Sequence, residues 1–237
     1  FMSPDKPFKR MVVTSSGPQE GKSTTAINLG IAMAQSGQKV LIVDTDMRRP
    51  RLHKAFGVAN EMGVSSLVVG EGKLEDAIKT TEVPGLYLLP CGPIPPNPAE
   101  LLHTRAFAEL LEALGARFDR VILDSPPGKA MLAFNALSAA DEILIPLPAE
   151  RPALDGVQDL LRFIHEVVWE KYNPGLKIRG ILPTMYKRTT THSAGVVDKA
   201  REIWGDKVFQ IEVPETISFP RAYSAGSARP RGAHRRA

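Results

Sequence analysis

The chain has 237 residues, of which 43% are hydrophobic and 24% are charged, and its formal net charge is +4. These proportions exclude a wholly disordered chain and suit one large α/β domain. The single cysteine, Cys91, excludes an internal disulfide and suits a reducing compartment. Since no apolar run approaches the ~20 residues that span a bilayer, we expect a cytoplasmic protein. A peripheral position at the inner membrane face would require a partner or a surface contact.

Short apolar runs alternate with helix-like segments along the chain. The predicted strands are residues 11–14, 40–43, 86–89, 121–123, 143–145, 178–182 and 208–211. The predicted helices are residues 23–35, 99–114, 154–172 and 194–204. Strands that are apolar on both faces suit a parallel sheet buried on both sides. The alternation therefore predicts an α/β fold, a doubly wound and mostly parallel sheet with helices on both faces, in which ligands bind at the carboxyl ends of the strands.

A glycine-containing loop between the first strand and the first helix carries the clearest motif. It is a P-loop in which Ser16 stands where the first glycine is usual. Its backbone N–H groups are predicted to hold the phosphates of ATP. We expect Lys22 to neutralise the β and γ oxygens, and the Ser23 hydroxyl to ligate Mg²⁺. The predicted nucleotide-binding residues are Gly17, Pro18, Gln19, Glu20, Gly21, Lys22, Ser23 and Thr24.

Three carboxylates follow buried strands of the predicted sheet. Asp44 and Asp46 come after the second strand, and Asp124 comes after a later one. Mg²⁺ prefers hard oxygen ligands, and phosphoryl transfer needs a group that orients or deprotonates the attacking oxygen. We assign that task to Asp44, and assign Asp46 and Asp124 to the metal or its water shell. A turn-capping role is the alternative for Asp44 or Asp46.

A basic loop follows these aspartates and contains Arg48, Arg49 and Arg51. It is either a solvated surface loop or a source of positive charge for phosphate or an acidic substrate. On the second interpretation, Arg48 joins Lys22, Asp44 and Asp46 as a catalytic residue.

The end of the chain is strongly basic. Residues 216–237 contain five arginines and no acidic residue. We expect residues 1–220 to form a single domain and residues 221–237 to form a disordered basic tail. The tail is either a solvated end without a function or a salt-dependent contact for DNA or anionic lipid.

Three segments of the first half resemble the Walker A, A′ and B motifs of bacterial tyrosine kinases that control capsule and exopolysaccharide export. They are residues 17–24, 40–50 and 121–127, and residues 51–57 and 95–102 are also similar. The match runs from residue 13 to residue 127. The resemblance implies an ATP- and Mg²⁺-dependent protein tyrosine kinase, a membrane-anchored activator and self-association.

Beyond residue 127 the chain resembles the ParA/MinD family of partitioning and positioning ATPases. The similar segments, within residues 128–226, are residues 135–146, 180–186 and 213–217. Both families share one deviant-Walker P-loop fold. The second resemblance implies an alternative function, a nucleotide-dependent switch for DNA partitioning or protein positioning.

Two differences from the sequence patterns of these families bear on the choice between the two hypotheses. ParA-type ATPases carry a signature lysine at the position of Gly17, and glycine cannot supply its charge. The kinases end in a tyrosine-rich tail, whereas this chain has four scattered tyrosines, Tyr87, Tyr172, Tyr186 and Tyr223. We take the kinase as the main hypothesis and the switch as the alternative.

Overall fold

The computed structural model describes residues 8–127, 131–187 and 190–215. The predicted tail at residues 221–237 and the predicted domain boundary at residue 220 lie outside these ranges. The described residues form a seven-stranded sheet in the order β3-β4-β2-β5-β1-β6-β7. Its strands are β1 (Arg10–Val13), β2 (Val40–Asp44), β3 (Lys79–Thr80), β4 (Leu86–Leu89), β5 (Arg120–Asp124), β6 (Glu142–Pro148) and β7 (Lys177–Thr184).

All neighbouring strands are parallel except the edge pair β3 and β4, which is antiparallel. The two central strands β2 and β5 are buried along their whole length. Their runs of valine, leucine and isoleucine explain most of this burial, because a strand that is covered on both faces is apolar at successive positions. The buried charged residues, Asp44, Arg120 and Asp124, lie at the strand ends. The predicted mostly parallel sheet is confirmed.

Helices cover both faces of the sheet. Successive residues of β1 point to opposite sides: Val12 belongs to one apolar core, whereas Met11 and Val13 belong to the other. The helices within the described ranges are α1 (Lys22–Gln35), α2 (Leu52–Ala55), α3 (Val64–Val68), α4 (Leu74–Ala77), α5 (Pro98–Leu101), α6 (Arg105–Arg117), α7 (Met131–Ala139), α8 (Arg151–Phe163) and α9 (Thr191–Trp204). None of them is both long and apolar enough to cross a lipid bilayer.

The helix α8 continues directly into a π-helix at Ile164–Tyr172. The sequence predicts one α-helix there, because its apolar spacing does not distinguish the two hydrogen-bond patterns. The predicted helix at residues 99–114 is also divided. The Thr104 side chain accepts a hydrogen bond from the backbone N–H of Phe107 at 3.2 Å, and this cap starts α6 separately from α5.

The predicted strand at residues 208–211 is wrong. Val208 forms only an isolated parallel bridge with Ile181, and it follows a 3-10 turn at Gly205–Lys207. Conversely, β6 runs on through Pro146 to Pro148. A proline is tolerated there because β1 pairs with β6 only as far as Leu144, so beyond that point β6 has a ladder partner on the β7 side.

Candidate functional site

The P-loop joins the end of β1 to the start of α1. Gly21 caps the helix with φ of 86°, a left-handed conformation that glycine adopts without a Cβ clash. Lys22 is buried, and its Nζ donates to Ser15 Oγ and to the Gly17 carbonyl, each at 3.0 Å. Burial lowers the pKa of Lys22, and the charges of Asp124 and Glu20 oppose this effect. The ammonium group therefore lies inside the loop, where a bound phosphate would meet it.

Glu20 fixes the first half of the same loop. Its carboxylate accepts hydrogen bonds from the Gly17 N–H at 2.9 Å and from the Ser16 hydroxyl at 3.0 Å. A Cβ at Gly17 would lie 2.9 Å from Glu20 Oε1, closer than such atoms approach in proteins. A side chain at position 17 would therefore require the Glu20 side chain to move.

Helix α8 makes room for the serine that replaces the first glycine of the motif. A Cβ added to Gly156 of α8 would lie 2.5 Å from Cβ and Oγ of Ser16. The close approach of Gly156 to Ser16 therefore holds the P-loop against a helix from the second half of the chain.

Asp44 and Asp124 face each other across two paired strands. They are the terminal residues of β2 and β5 and are register partners. Asp44 Oδ1 accepts from the Asp46 N–H and Oδ2 from the Leu52 N–H, both at 3.2 Å. Burial raises the pKa of Asp44 well above its usual value, and the charge of Asp124 raises this pKa further. Two buried carboxylates at one edge of the sheet favour a cationic ligand between or beside them.

Asp124 has the features of a magnesium ligand. Burial raises its pKa to about 7, while a hydrogen bond from Ser23 and the charge of Lys22 lower it. Among the described residues, its buried Oδ1 has no hydrogen-bond partner. A carboxylate with a free oxygen beside a P-loop serine fits Mg²⁺, which typically takes few protein ligands and completes its shell with water and phosphate oxygens. The described residues contain no cluster of three or more His, Cys, Asp or Glu that would form a larger metal cage.

Asp46 also caps a turn. Its Oδ1 accepts the backbone N–H groups of Arg48 and Arg49 at 3.2 and 3.1 Å. Its charge raises the pKa of Asp124, so the two carboxylates lie near one another. The structure therefore brings Lys22, Ser23, Asp44, Asp46 and Asp124 into one region, and their individual roles remain predictions.

The other predicted residues lie at the margin of this region. Arg48 and Arg49 are exposed, as are Pro18, Gln19 and Thr24 of the P-loop. The catalytic role of Arg48 accordingly remains a prediction, and its exposed side chain is available to a phosphate or an acidic partner.

Sequence reasoning missed several residues that hold the site together. Ser15 Oγ accepts a hydrogen bond from the Lys22 ammonium group and donates one to the Gly17 carbonyl at 2.8 Å. Thr45 donates from its hydroxyl to the Asp124 carbonyl at 2.8 Å, which ties β2 to β5. Thr184, the last residue of β7, donates to the Glu20 carbonyl at 3.4 Å. Ser15 and Thr45 could have been suspected from their positions directly after predicted strands. Thr184 is 164 residues from its partner, so its contact with Glu20 could be found only in the folded structure.

A strand, a phosphate loop and a helix at the carboxyl edge of a mostly parallel sheet define the class of P-loop nucleotide-binding proteins. A family model described as an AAA domain (AAA_31) matches residues 17–178, and the chain belongs to this family.

The known relatives include both predicted types of protein. Tyrosine-protein kinase YwqD of Bacillus subtilis (strain 168) is 44% identical over 127 residues, which are 54% of this chain and 54% of that protein. Chromosome partitioning protein ParA of Caulobacter vibrioides (strain NA1000 / CB15N) is 34% identical over 230 residues, 93% of this chain and 85% of that protein. Both predicted resemblances are confirmed, and the similarity to ParA extends over nearly the whole chain.

A solved structure supports the same fold and shows what such a site can hold. Cobyrinic acid a,c-diamide synthase from Mycobacterium smegmatis, determined with a bound ATP analogue and magnesium, is 29% identical with a TM-score of 0.79. The similarity covers 92% of this chain and 94% of that one. The deviant-Walker fold expected from the sequence is confirmed.

Proposed function

We propose that this chain binds Mg-ATP on its P-loop and transfers the γ-phosphoryl group to a tyrosine hydroxyl. Support for ATP and magnesium comes from the buried Lys22, the free oxygen of Asp124 and the ligands of the related M. smegmatis structure. Support for a tyrosine acceptor comes from the 44% identity with YwqD, a tyrosine-protein kinase, although the alignment spans only about half the length of either protein.

Each residue of the site has a distinct task in this proposal. Lys22 stabilises the charge that develops on the transferred phosphoryl group. Ser23 and Asp124 hold the metal, which when bound neutralises phosphate charge. Asp44 takes the proton of the acceptor hydroxyl, and its raised pKa suits a general base. The turn from Asp46 to Leu52 covers Asp44 in this structure, so the approach of the hydroxyl requires that turn to move.

The observation that carries the kinase proposal over the switch is the glycine at position 17. A ParA-type switch needs a lysine there that reaches the nucleotide of a partner subunit. In this chain Gly17 supplies no such charge, and its N–H donates to the Glu20 carboxylate of the same loop.

The test is incubation with Mg-ATP and a tyrosine-rich peptide, followed by mass spectrometry for phosphotyrosine. We expect phosphotyrosine on the peptide, and none with Lys22→Met. The variant Lys199→Met is the matched control, because Lys199 is exposed and, within the described residues, forms its ion pair with Glu202 of its own helix turn. ADP release without phosphotyrosine on the peptide would refute the kinase and leave an ATPase.

A second candidate is a nucleotide-dependent switch, favoured by the similarity to ParA over 93% of this chain. In that case water replaces the tyrosine hydroxyl, and ATP controls self-association and binding to DNA or anionic lipid. ATP-dependent binding to DNA or to liposomes, together with an absence of phosphotyrosine, would decide for this candidate.

A role in exopolysaccharide production, with a membrane-anchored activator and a cytoplasmic location at the inner membrane face, forms part of the kinase proposal. Its test is whether a membrane fraction raises the rate of peptide phosphorylation by the wild-type chain but not by Lys22→Met.

A further inference from the structure

The amino edge of the sheet, opposite the P-loop, contains a cavity of about 650 Å³. It lies where β1, β6 and β7 begin and where the π-helix ends. Its lining includes the exposed Tyr172, four basic residues and three acidic residues: Lys9, Arg10, His103, Lys177, Glu112, Asp141 and Glu142. The nucleotide site does not use this cavity.

The side chain of Tyr172 is accessible and its ring is held in place, as a phosphoryl acceptor requires. It is 53% exposed, and its ring packs edge-on against Phe134 with centroids 4.5 Å apart. The packing fixes the ring, while no hydrogen bond to the hydroxyl is formed within the described residues. The residue ends a π-helix, a less regular form than the α-helix, and Asn173, Pro174 and Gly175 follow in a turn.

The other described tyrosines are less suited. The ring of Tyr87 is half-buried in β4, where Phe118 packs against it and the Lys39 ammonium lies 5.6 Å from its centroid. Tyr186 is half-buried, and its backbone is tied on both sides, by its own N–H to Val213 and by its carbonyl to Glu215.

We propose that Tyr172 is the tyrosine of this chain that accepts the phosphoryl group, and that it does so at the P-loop of a second copy of the chain. The inference rests on the proposed kinase function. It follows from the exposure of Tyr172 and from its place at the amino edge. The seven residues of β6 separate the two edges by about 20 Å, too far for transfer within one molecule.

The transfer is a simple displacement at phosphorus. The Tyr172 oxygen forms a bond to the γ-phosphorus of ATP, and the bond from that phosphorus to the β,γ-bridging oxygen breaks. The electron pair leaves with ADP, and the phenolic proton passes to Asp44 of the second copy. The phosphate then lies at a cavity whose lining carries both basic and acidic side chains.

The test maps phosphotyrosine by mass spectrometry after incubation of the full chain with Mg-ATP. We expect phosphate on Tyr172 and its loss in Tyr172→Phe, which keeps the ring on Phe134. Tyr186→Phe and Tyr87→Phe are the matched controls and keep the signal on Tyr172. All three variants should still phosphorylate an added tyrosine-rich peptide.

Transfer between molecules is tested by mixing Lys22→Met, which retains Tyr172, with Tyr172→Phe, which retains the active site. Phosphate on Tyr172 of the inactive chain supports the inference. Phosphorylation of the peptide with phosphate on Tyr223 or another tyrosine instead of Tyr172 overturns the inference and leaves the kinase standing. Absence of phosphotyrosine from both peptide and chain overturns the proposed function itself.

Discussion

Aspartate residues serve different purposes at the two edges of the sheet. At the amino edge, Asp119 is exposed and accepts the Lys39 N–H at 2.8 Å, and the partly exposed Asp141 accepts the N–H groups of Lys9 and Arg10. At the carboxyl edge, Asp44 and Asp124 are buried, and their pKa values are raised mainly by that burial.

The two edges differ in how much free energy it costs to keep an aspartate ionised in the folded chain. An aspartate that only holds backbone N–H groups stays near solvent, where its charge is inexpensive. Buried carboxylates beside a phosphate loop are costly to ionise and indicate a functional site. The comparison predicts that substitutions at the carboxyl edge change turnover, whereas substitutions at the amino edge change stability alone.

The largest effect is expected for Lys22→Met. The variant removes the buried cation of the P-loop, so the rate of ADP release should fall by ~1,000-fold. Steady-state assays with saturating Mg-ATP measure this rate, with Lys199→Met as the exposed control. If the Lys22→Met chain still turns over ATP at the wild-type rate, this loop is not the phosphate site.

A smaller loss is expected for Asp44→Asn, which removes the proton acceptor and retains the shape of the side chain. Turnover should fall by on the order of 100-fold, while nucleotide binding persists because Lys22 and the P-loop are intact. Calorimetric titration with ADP and an ADP-release assay separate the two effects. The control across the sheet is Asp119→Asn, and equal losses of turnover in both variants would contradict the distinction between the edges.

The P-loop and the strands that carry it were predictable, because each is encoded by a short run of consecutive residues. Proximity of Asp44 and Asp124 was expected from their positions at strand ends, but their pairing in register depends on the strand order. The hydrogen bonds from Ser16 and Gly17 to the Glu20 carboxylate were not predictable, because they depend on the rotamer of Glu20.

Two local predictions failed for a shared reason, since apolar spacing does not report hydrogen bonding. Residues 208–211 have the composition of a strand, yet Val208 makes only one isolated bridge. Residues 164–172 have helical spacing, yet they form a π-helix that ends at Tyr172. The cavity beside Tyr172 combines residues from distant parts of the chain, so the sequence alone gave no indication of it.

The stability of Asp124→Asn tests the difference between the two edges of the sheet independently of turnover. The pKa of Asp124 is about 7 in the folded chain, above its ordinary value of 3.8. The folded state therefore binds this proton more tightly, and the resulting stability is complete below about pH 3.8 and is lost progressively as the pH rises to about 7. Asparagine removes that loss, so without metal the variant should be more stable than wild type at pH 8 by roughly 4 kcal/mol, about 1.4 kcal/mol for each unit of the pKa difference.

Thermal unfolding in EDTA at pH 5.5 and pH 8 measures this difference, and the gain should shrink at the lower pH. The same variant should lose turnover, since the residue that fits the metal is removed. A destabilised Asp124→Asn at pH 8 would show that the carboxylate supports the fold, as the aspartates of the amino edge do.

The smallest effect is expected for Asp141→Ala at the amino edge. Its carboxylate accepts two backbone N–H groups at 2.9 and 2.8 Å and pairs with the Arg10 guanidinium at 3.1 Å. Since the side chains of this pair are 35% and 29% exposed, their loss should cost only ~1–2 kcal/mol in denaturant unfolding. The exposed pair of Arg105 and Glu109 gives the reference, because Glu109→Gln should cost less than ~0.5 kcal/mol.

Phosphorylation of an added peptide by Asp141→Ala should match that of the wild type once the folded fraction is equal. Asp141 lines the cavity that contains Tyr172, so the same variant is also informative about self-phosphorylation. A change in phosphate on Tyr172, with peptide phosphorylation unaltered, would assign the amino edge to the presentation of the acceptor. A loss of both Tyr172 phosphate and peptide phosphorylation would instead mean that a structural change at the start of β1 is transmitted to the P-loop at its end. The two edges of the sheet would then not be functionally independent.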